Sequence, residues 1–412
     1  MSTLGIIAEY NPLHNGHVHH FREAKSLSGA DSVIVVMSGP FTQRGEPAAV
    51  SKRARTEMAL HMGADLVIEL PVAYAVQPAE WFAFGAVSLL AATGVVDSLC
   101  FGSEAGSLEQ LRPLAQFLAR ENSRLREEIA SRMALGVSFP AAYSGAAAQA
   151  WEASFTGEEK PPDAAELLRQ PNNSLGLHYL IALERLGSSM VPLTVPRTGA
   201  GFHAPLQPGS SIASATAIRR LLLEGGSPAP YLPEYSLSIL AREQAAGRGP
   251  VTLEAFRHPL RHTLLTRSAA ELKSLHEMNE GLENRLLRIF ARLEPFTIEG
   301  LLQGLKSKRY THTRLQRLLV HTLLNHTKEE LTPQRLGQGP AYLRVLGFSA
   351  AGRQLLKQMK QRATLPVVTR PAQFDHPMLR LDLAAAGVYA AAFTDPQRQE
   401  LLADYLLPPV MV

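Results

Sequence analysis

A chain of 412 residues exceeds one typical domain, so two domains, at most three, are expected. The hydrophobic share of 46% indicates a globular protein, the single cysteine (Cys100) excludes internal disulfides and Cys-based zinc clusters, and no window is long and apolar enough to span a membrane. The formal charge of +4 conceals a basic stretch: Val251 to Arg370 carries 20 Lys/Arg against 9 Asp/Glu, which points to a polyanionic partner or to a solvated Arg-rich helical surface.

The chain opens on an apolar run, Leu4 to Ala8, that reads as a buried strand, with no basic and apolar leader before it. A cytoplasmic protein is therefore expected. The run stops at Asn11-Pro12, and His14-Asn15-Gly16-His17 leads into a helical pattern over His17–Leu27. Strand, tight loop and helix start set two imidazoles one turn apart beside the free N–H groups of a helix N-terminus, a natural seat for a polyphosphate. Gly16 lets backbone approach an anion closely. A zinc site on His14, His17 and His20 is the weaker reading, because no Cys supports it and no Glu stands at metalloprotease spacing, so no metal ligands are assigned.

Short apolar runs then alternate with helical patterns, the signature of an α/β fold with a Rossmann-like parallel sheet. Strands are predicted over Ser32–Met37, Asp65–Leu70, Ser98–Phe101 and Val191–Val195. The helices are predicted over Ala48–Met62, Ala79–Ala92, Ser107–Met133 and Leu175–Leu186. Open parallel sheets bind ligands beyond the carboxyl ends of their strands, and the unusual residues cluster there. Gly102 leaves room for a flat base. Arg44, Lys52, Arg53 and Arg55 offer cations, of which one or two at most would touch phosphate. Pro171-Asn172-Asn173-Ser174 reads as a helix cap that leaves one Asn for a ligand. Arg197 precedes Gly199-Ala200-Gly201-Phe202-His203, a loop able to close over substrate.

A second phosphate motif follows at Ser210-Ser211-Ile212-Ala213-Ser214-Ala215-Thr216-Ala217-Ile218-Arg219. Ser214 or Thr216 can cap the helix starting here, and Arg219 lies about one turn in, so hydroxyls, orphan N–H groups and a guanidinium face one anion. His14, His17 and Arg219 are the expected catalytic groups. Beyond Gly225-Gly226 the pattern turns helical. A nucleotide-binding domain over 1–226 is expected, then a mainly α-helical basic domain over 227–412 whose tail, from Pro366, packs back on the first. Lys306, Lys308, Arg309, Arg314 and Arg317, with Tyr310 and His312, could grip phosphates and stack on an unpaired base, or form a basic helix cap on a bundle.

In order along the chain, GIIAEYNPLHNGHVHH, SGPFTQRGEPA, GADLVIELP, FGSE, PNNSLG, SATAIRR and KRYTHTRLQRLL resemble the bacterial tRNA(Met) cytidine acetate ligase family, of the His-x-Gly-His nucleotidyltransferase superfamily. The resemblance covers most of the chain, with Ala215 standing where the superfamily's Ile-Ser-Ser-Thr-x-x-Arg element carries its second Ser. It implies an ATP-dependent ligase, acting with Mg²⁺ on acetate and elongator tRNA(Met) to form N4-acetylcytidine at the wobble position. It implies ATP contacts along Ile7-Ala8-Glu9-Tyr10-Asn11-Pro12-Leu13-His14-Asn15-Gly16-His17-Val18-His19-His20, at Gly102, at one of Asn172 and Asn173, and at Arg197; Ser214 and Thr216 join them from the second motif. Two alternatives stay open on the residues alone. One is an adenylyltransferase for a phosphorylated cofactor precursor, and the other is a non-catalytic, ATP-sensing RNA-binding protein.

Overall fold

The computed structural model describes residues 2–120, 123–155, 163–197 and 211–412. Eight strands form one sheet: β1 (Thr3–Ala8), β2 (Ser32–Ser38), β3 (Leu66–Leu70), β4 (Ser98–Ser103), β5 (Val191–Pro196), β6 (Leu343–Phe348), β7 (Val367–Val368) and β8 (Val410–Met411). Their order is β5-β4-β1-β2-β3-β6-β7, with β8 beside β6. The first five strands run parallel. Every residue of β2 is buried, and its side chains alternate: Ile34 and Val36 join the core on one face, Val33, Val35 and Met37 that on the other. Succession runs from β1 to β3 in one direction and then returns to place β4 on the other side of β1. That reversal opens a crevice beyond the carboxyl ends of β1 and β4, where such sheets take ligands.

Helix α1 (Asn15–Ser28) follows β1, and α2 (Lys52–Met62) follows β2. Two helical expectations need correcting. The single helix anticipated over Ser107–Met133 is two, Leu108–Ala119 and Ser123–Ala134, the first capped by Ser107. The helix anticipated from Leu175 begins at Pro171, because proline suits the first helical turn; Asn172 and Asn173 lie inside that turn instead of capping it.

The second half of the chain contributes to both modules. Residues 251–324 build a helical layer around Phe256, Leu260, Leu286, Leu301 and Leu318, and its core continues through Phe41, Val72 and Val76 at the carboxyl ends of β2 and β3. Past this layer the chain returns to the sheet, as β6 pairs antiparallel with β3 and carries β7 and β8. A buried ion cluster locks the return. Lys52 Nζ lies 2.7 Å from Glu69 on β3 and 2.6 Å from Asp404 in the tail, and Arg344 of β6 lies 3.2 Å from both carboxylates. The sheet thus extends across residue 226, and the tail closes its far edge. No helix among the described residues is long and apolar enough to cross a membrane.

Candidate active site

The crevice is built first from the β1–α1 turn. His14 is the N-cap of α1: its Nδ1 accepts from Gly16 N–H at 3.1 Å, while His17 Nδ1 accepts from His14 N–H at 3.3 Å, a reciprocal capping box made of two imidazoles. A ring nitrogen that accepts carries no proton, so in each neutral ring the N–H is at Nε2. The two rings lie 3.8 Å apart between centroids, tilted by 30°, and Tyr10 meets His17 edge-on at 5.0 Å. Burial, with Arg197 and Arg219 nearby, pushes the His14 pKa down to about 3; burial and its neighbours His14, His20 and Arg197 hold His17 well below the usual range. At neutral pH both are uncharged donors. A Cβ on Gly16 would stand 2.9 Å from the His14 ring. Glycine makes room for the imidazole.

The second motif is drawn against the first. Asn15 Nδ2 donates to Ser211 O and Pro230 O, at 3.0 and 3.2 Å, so the helix Ala215–Leu223 starts beside α1. Ser214, not Thr216, is its cap, accepting from Ala217 N–H at 3.2 Å. Arg219 donates to Asn11 O at 3.0 Å and to Glu46 Oε2 at 2.7 Å, with Thr216 Oγ1 at 3.5 Å. Arg219 is half-buried and already aimed across the β1–α1 turn. Ser210 and the loop Gly199-Ala200-Gly201-Phe202-His203 lie outside the described residues.

The opposite wall comes from β4, β5 and the helix Pro171–Arg185. Glu104, just past β4, accepts from the N–H groups of Asn172 and Asn173 at 3.2 and 2.7 Å and so caps that helix. Asn173 is buried, with its Oδ1 occupied by Ala105 N–H at 2.9 Å. Asn172 is the accessible one; it donates to Glu104 at 2.5 Å and accepts from Arg197 Nη1 at 3.2 Å. Gly102 lies between Arg197 and His20, whose side chains would be 3.4 and 3.6 Å from a Cβ there. Burial, helped by Arg197, pushes His20 down to about 4, and its Nε2 is buried without a hydrogen-bond partner among the described residues.

Several anticipated cations are internal. Arg55 is fully buried and donates to Glu9 O at 2.7 Å, Ser38 O at 3.1 Å and Gly39 O, fastening the ends of β1 and β2. Lys52 is held in the ion cluster, and Arg53 donates to Pro408 O at 2.7 Å. Arg44 stays near the crevice, within the field of Glu9, Glu46 and Arg219. Within the predicted RNA cluster, Arg317 is buried and paired with Glu277 at 2.7 Å, which withdraws it from phosphate contact. Tyr310 is buried too, its hydroxyl donating to Glu280 at 2.8 Å while Arg314 covers its ring at 4.8 Å, so it offers no open stacking face. Arg309 pairs with the same Glu280 at 2.5 Å; Lys306 and Lys308 are exposed. Glu46 and Glu104 went unassigned in the sequence because each acts on a partner at least 68 positions away.

The HIGH Nucleotidyl Transferase family model matches residues 1–404. A tRNA(Met) cytidine acetate ligase of Caldanaerobacter subterraneus subsp. tengcongensis is 40% identical over 95% of this chain and 96% of its own length. Another, from Halalkalibacterium halodurans, is 41% identical over 98% and 95%. This chain belongs to the tRNA(Met) cytidine acetate ligase family. The crystal structure of Thermotoga maritima TmcAL bound with alpha-thio ATP superposes over the full length of both chains at a TM-score of 0.90 and 34% identity. That superposition spans the β1–α1 turn and the sheet edge.

Proposed function

We propose that this chain activates acetate with ATP as acetyl-adenylate and transfers the acetyl group to N4 of the wobble cytidine of elongator tRNA(Met). The observation that carries the reading is the close His14–His17 pair, neutral and fixed as Nε2–H donors, with Arg197 and Arg219 beside it. Acetate is resonance-stabilised and anionic, so an amine cannot displace its oxygen directly. In the first step an acetate oxygen attacks the α-phosphorus in line and the bond to the β-phosphate oxygen breaks, releasing diphosphate. In the second, N4 attacks the acetyl carbonyl, AMP leaves, and N4 gives up a proton. The first step depends on positioning and charge stabilisation, which uncharged imidazole donors, a guanidinium and two helix N-termini supply without ionising.

Asn172 and Arg197 hold the nucleotide from the other wall, where Gly102 leaves space for a flat group. Mg²⁺ would accompany ATP, held chiefly by the phosphate oxygens whose charge it would neutralise. Lys306 and Lys308, exposed in the helical layer, are offered to tRNA phosphates. ATP–diphosphate exchange tests the first step. It should require acetate and proceed without tRNA; exchange that ignores acetate and responds to a phosphorylated cofactor precursor would refute it.

A further inference from the structure

The second-half tail leaves a trough at the outer edge of the sheet. It has a volume of about 960 Å³ and lies between the helix Ala350–Arg362, β7 and residues 405–411. Arg353, Lys357 and Lys360 line it from the helix and Arg370 from the opposite side, all four exposed, and no carboxylate among the described residues lines it. The three helical cations recur at i, i+4 and i+7, one face over roughly 10 Å of axis, while Leu355 is buried beneath the helix. None of the four pairs with an acid among the described residues. Tyr405 lines the same trough and is 49% exposed.

We infer that this trough binds the sugar-phosphate backbone of the RNA substrate, with Tyr405 as a stacking surface for an unpaired base. The inference rests on the reading of the chain as a tRNA-modifying enzyme. Four unpaired cations without a carboxylate complement a polyanion, and an exposed aromatic beside them suits a nucleic acid. The apolar atoms line a concavity, which admits a strand or a base but cannot lay apolar surface on a flat bilayer. Four strand spacings, roughly 19 Å, separate β7 from β1 across the sheet.

The test uses the full-length protein and an elongator tRNA(Met) transcript, with affinity measured at several salt concentrations. The Lys357→Glu/Lys360→Glu variant should bind about tenfold more weakly or worse, with a salt slope shallower by roughly 1.4 or more. Tyr405→Ala should lose about fivefold or more in affinity and keep its slope. Both should retain acetate-dependent diphosphate exchange. Unchanged tRNA affinity and slope in the charge variant would overturn the proposal. So would tRNA binding that persists while binding to anionic lipid vesicles is lost. Failure of wild-type exchange with acetate would instead refute the ligase reading and leave the tRNA-binding result standing.

Discussion

His14 and His17 illustrate how burial sets chemistry at the residue scale. Each gives its Nδ1 to a backbone N–H and keeps Nε2–H for a ligand, and neither carries charge at neutral pH. His14→Ala and His17→Ala should each slow acetate-dependent exchange by about two to three orders of magnitude, the usual cost of losing a preorganised donor to developing charge. Melting temperature measured alongside separates this from loss of fold. The same burial has a consequence for stability. With folded pKa values of about 3 for His14 and about 4 for His20, His276 and His326, against 6.5 unfolded, the unfolded chain binds more protons between these limits. Stability should be fully present above about pH 6.5, fall as pH drops toward 4, and fall no further on their account below 3. Melting temperature across this range checks it, and a flat profile would contradict the neutral assignment. The identity of both imidazoles was legible in the sequence from the strand–loop–helix context. Their tautomer was not, because it depends on which nitrogen meets which N–H.

At the scale of elements, the loop after β2 ties the crevice to the helical layer. Gly45 has φ +76°, and a Cβ there would stand 2.2 Å from Arg317 N on the helix His312–Leu324. The neighbouring Glu46 holds Arg219 from one oxygen, and its other lies 3.5 Å from Gln316 on that helix. Gly45→Ala should therefore destabilise by about 2 kcal/mol or more, from overpacking and an unfavourable φ, and slow exchange by displacing Glu46. Thermal unfolding with exchange kinetics would show both. Alternating apolar runs made all five parallel strands legible, within two residues at their ends. The start of the helix at Pro171 was hidden by the two Asn residues, whose preference for caps gave way to a proline-led first turn closed by Glu104.

For the whole molecule, the chain's return to the sheet was the least legible feature. The sequence marked Val367-Val368 and a tail packing back, but β6 looks like any short apolar run until β3 offers an edge. The ion cluster that fixes the return joins residues as distant as Lys52 and Asp404, a separation of 352. Asp404→Ala should leave Lys52 and Arg344 buried with Glu69 as their remaining carboxylate, and cost about 3–5 kcal/mol in denaturant unfolding. The most direct test of the account as a whole is mass spectrometry of elongator tRNA(Met) incubated with enzyme, ATP and isotope-labelled acetate. Labelled acetyl on the wobble cytidine, matched by release of AMP and diphosphate and lost in His14→Ala, is the expected result. Unlabelled tRNA accompanied by ATP consumption that does not depend on acetate would contradict it.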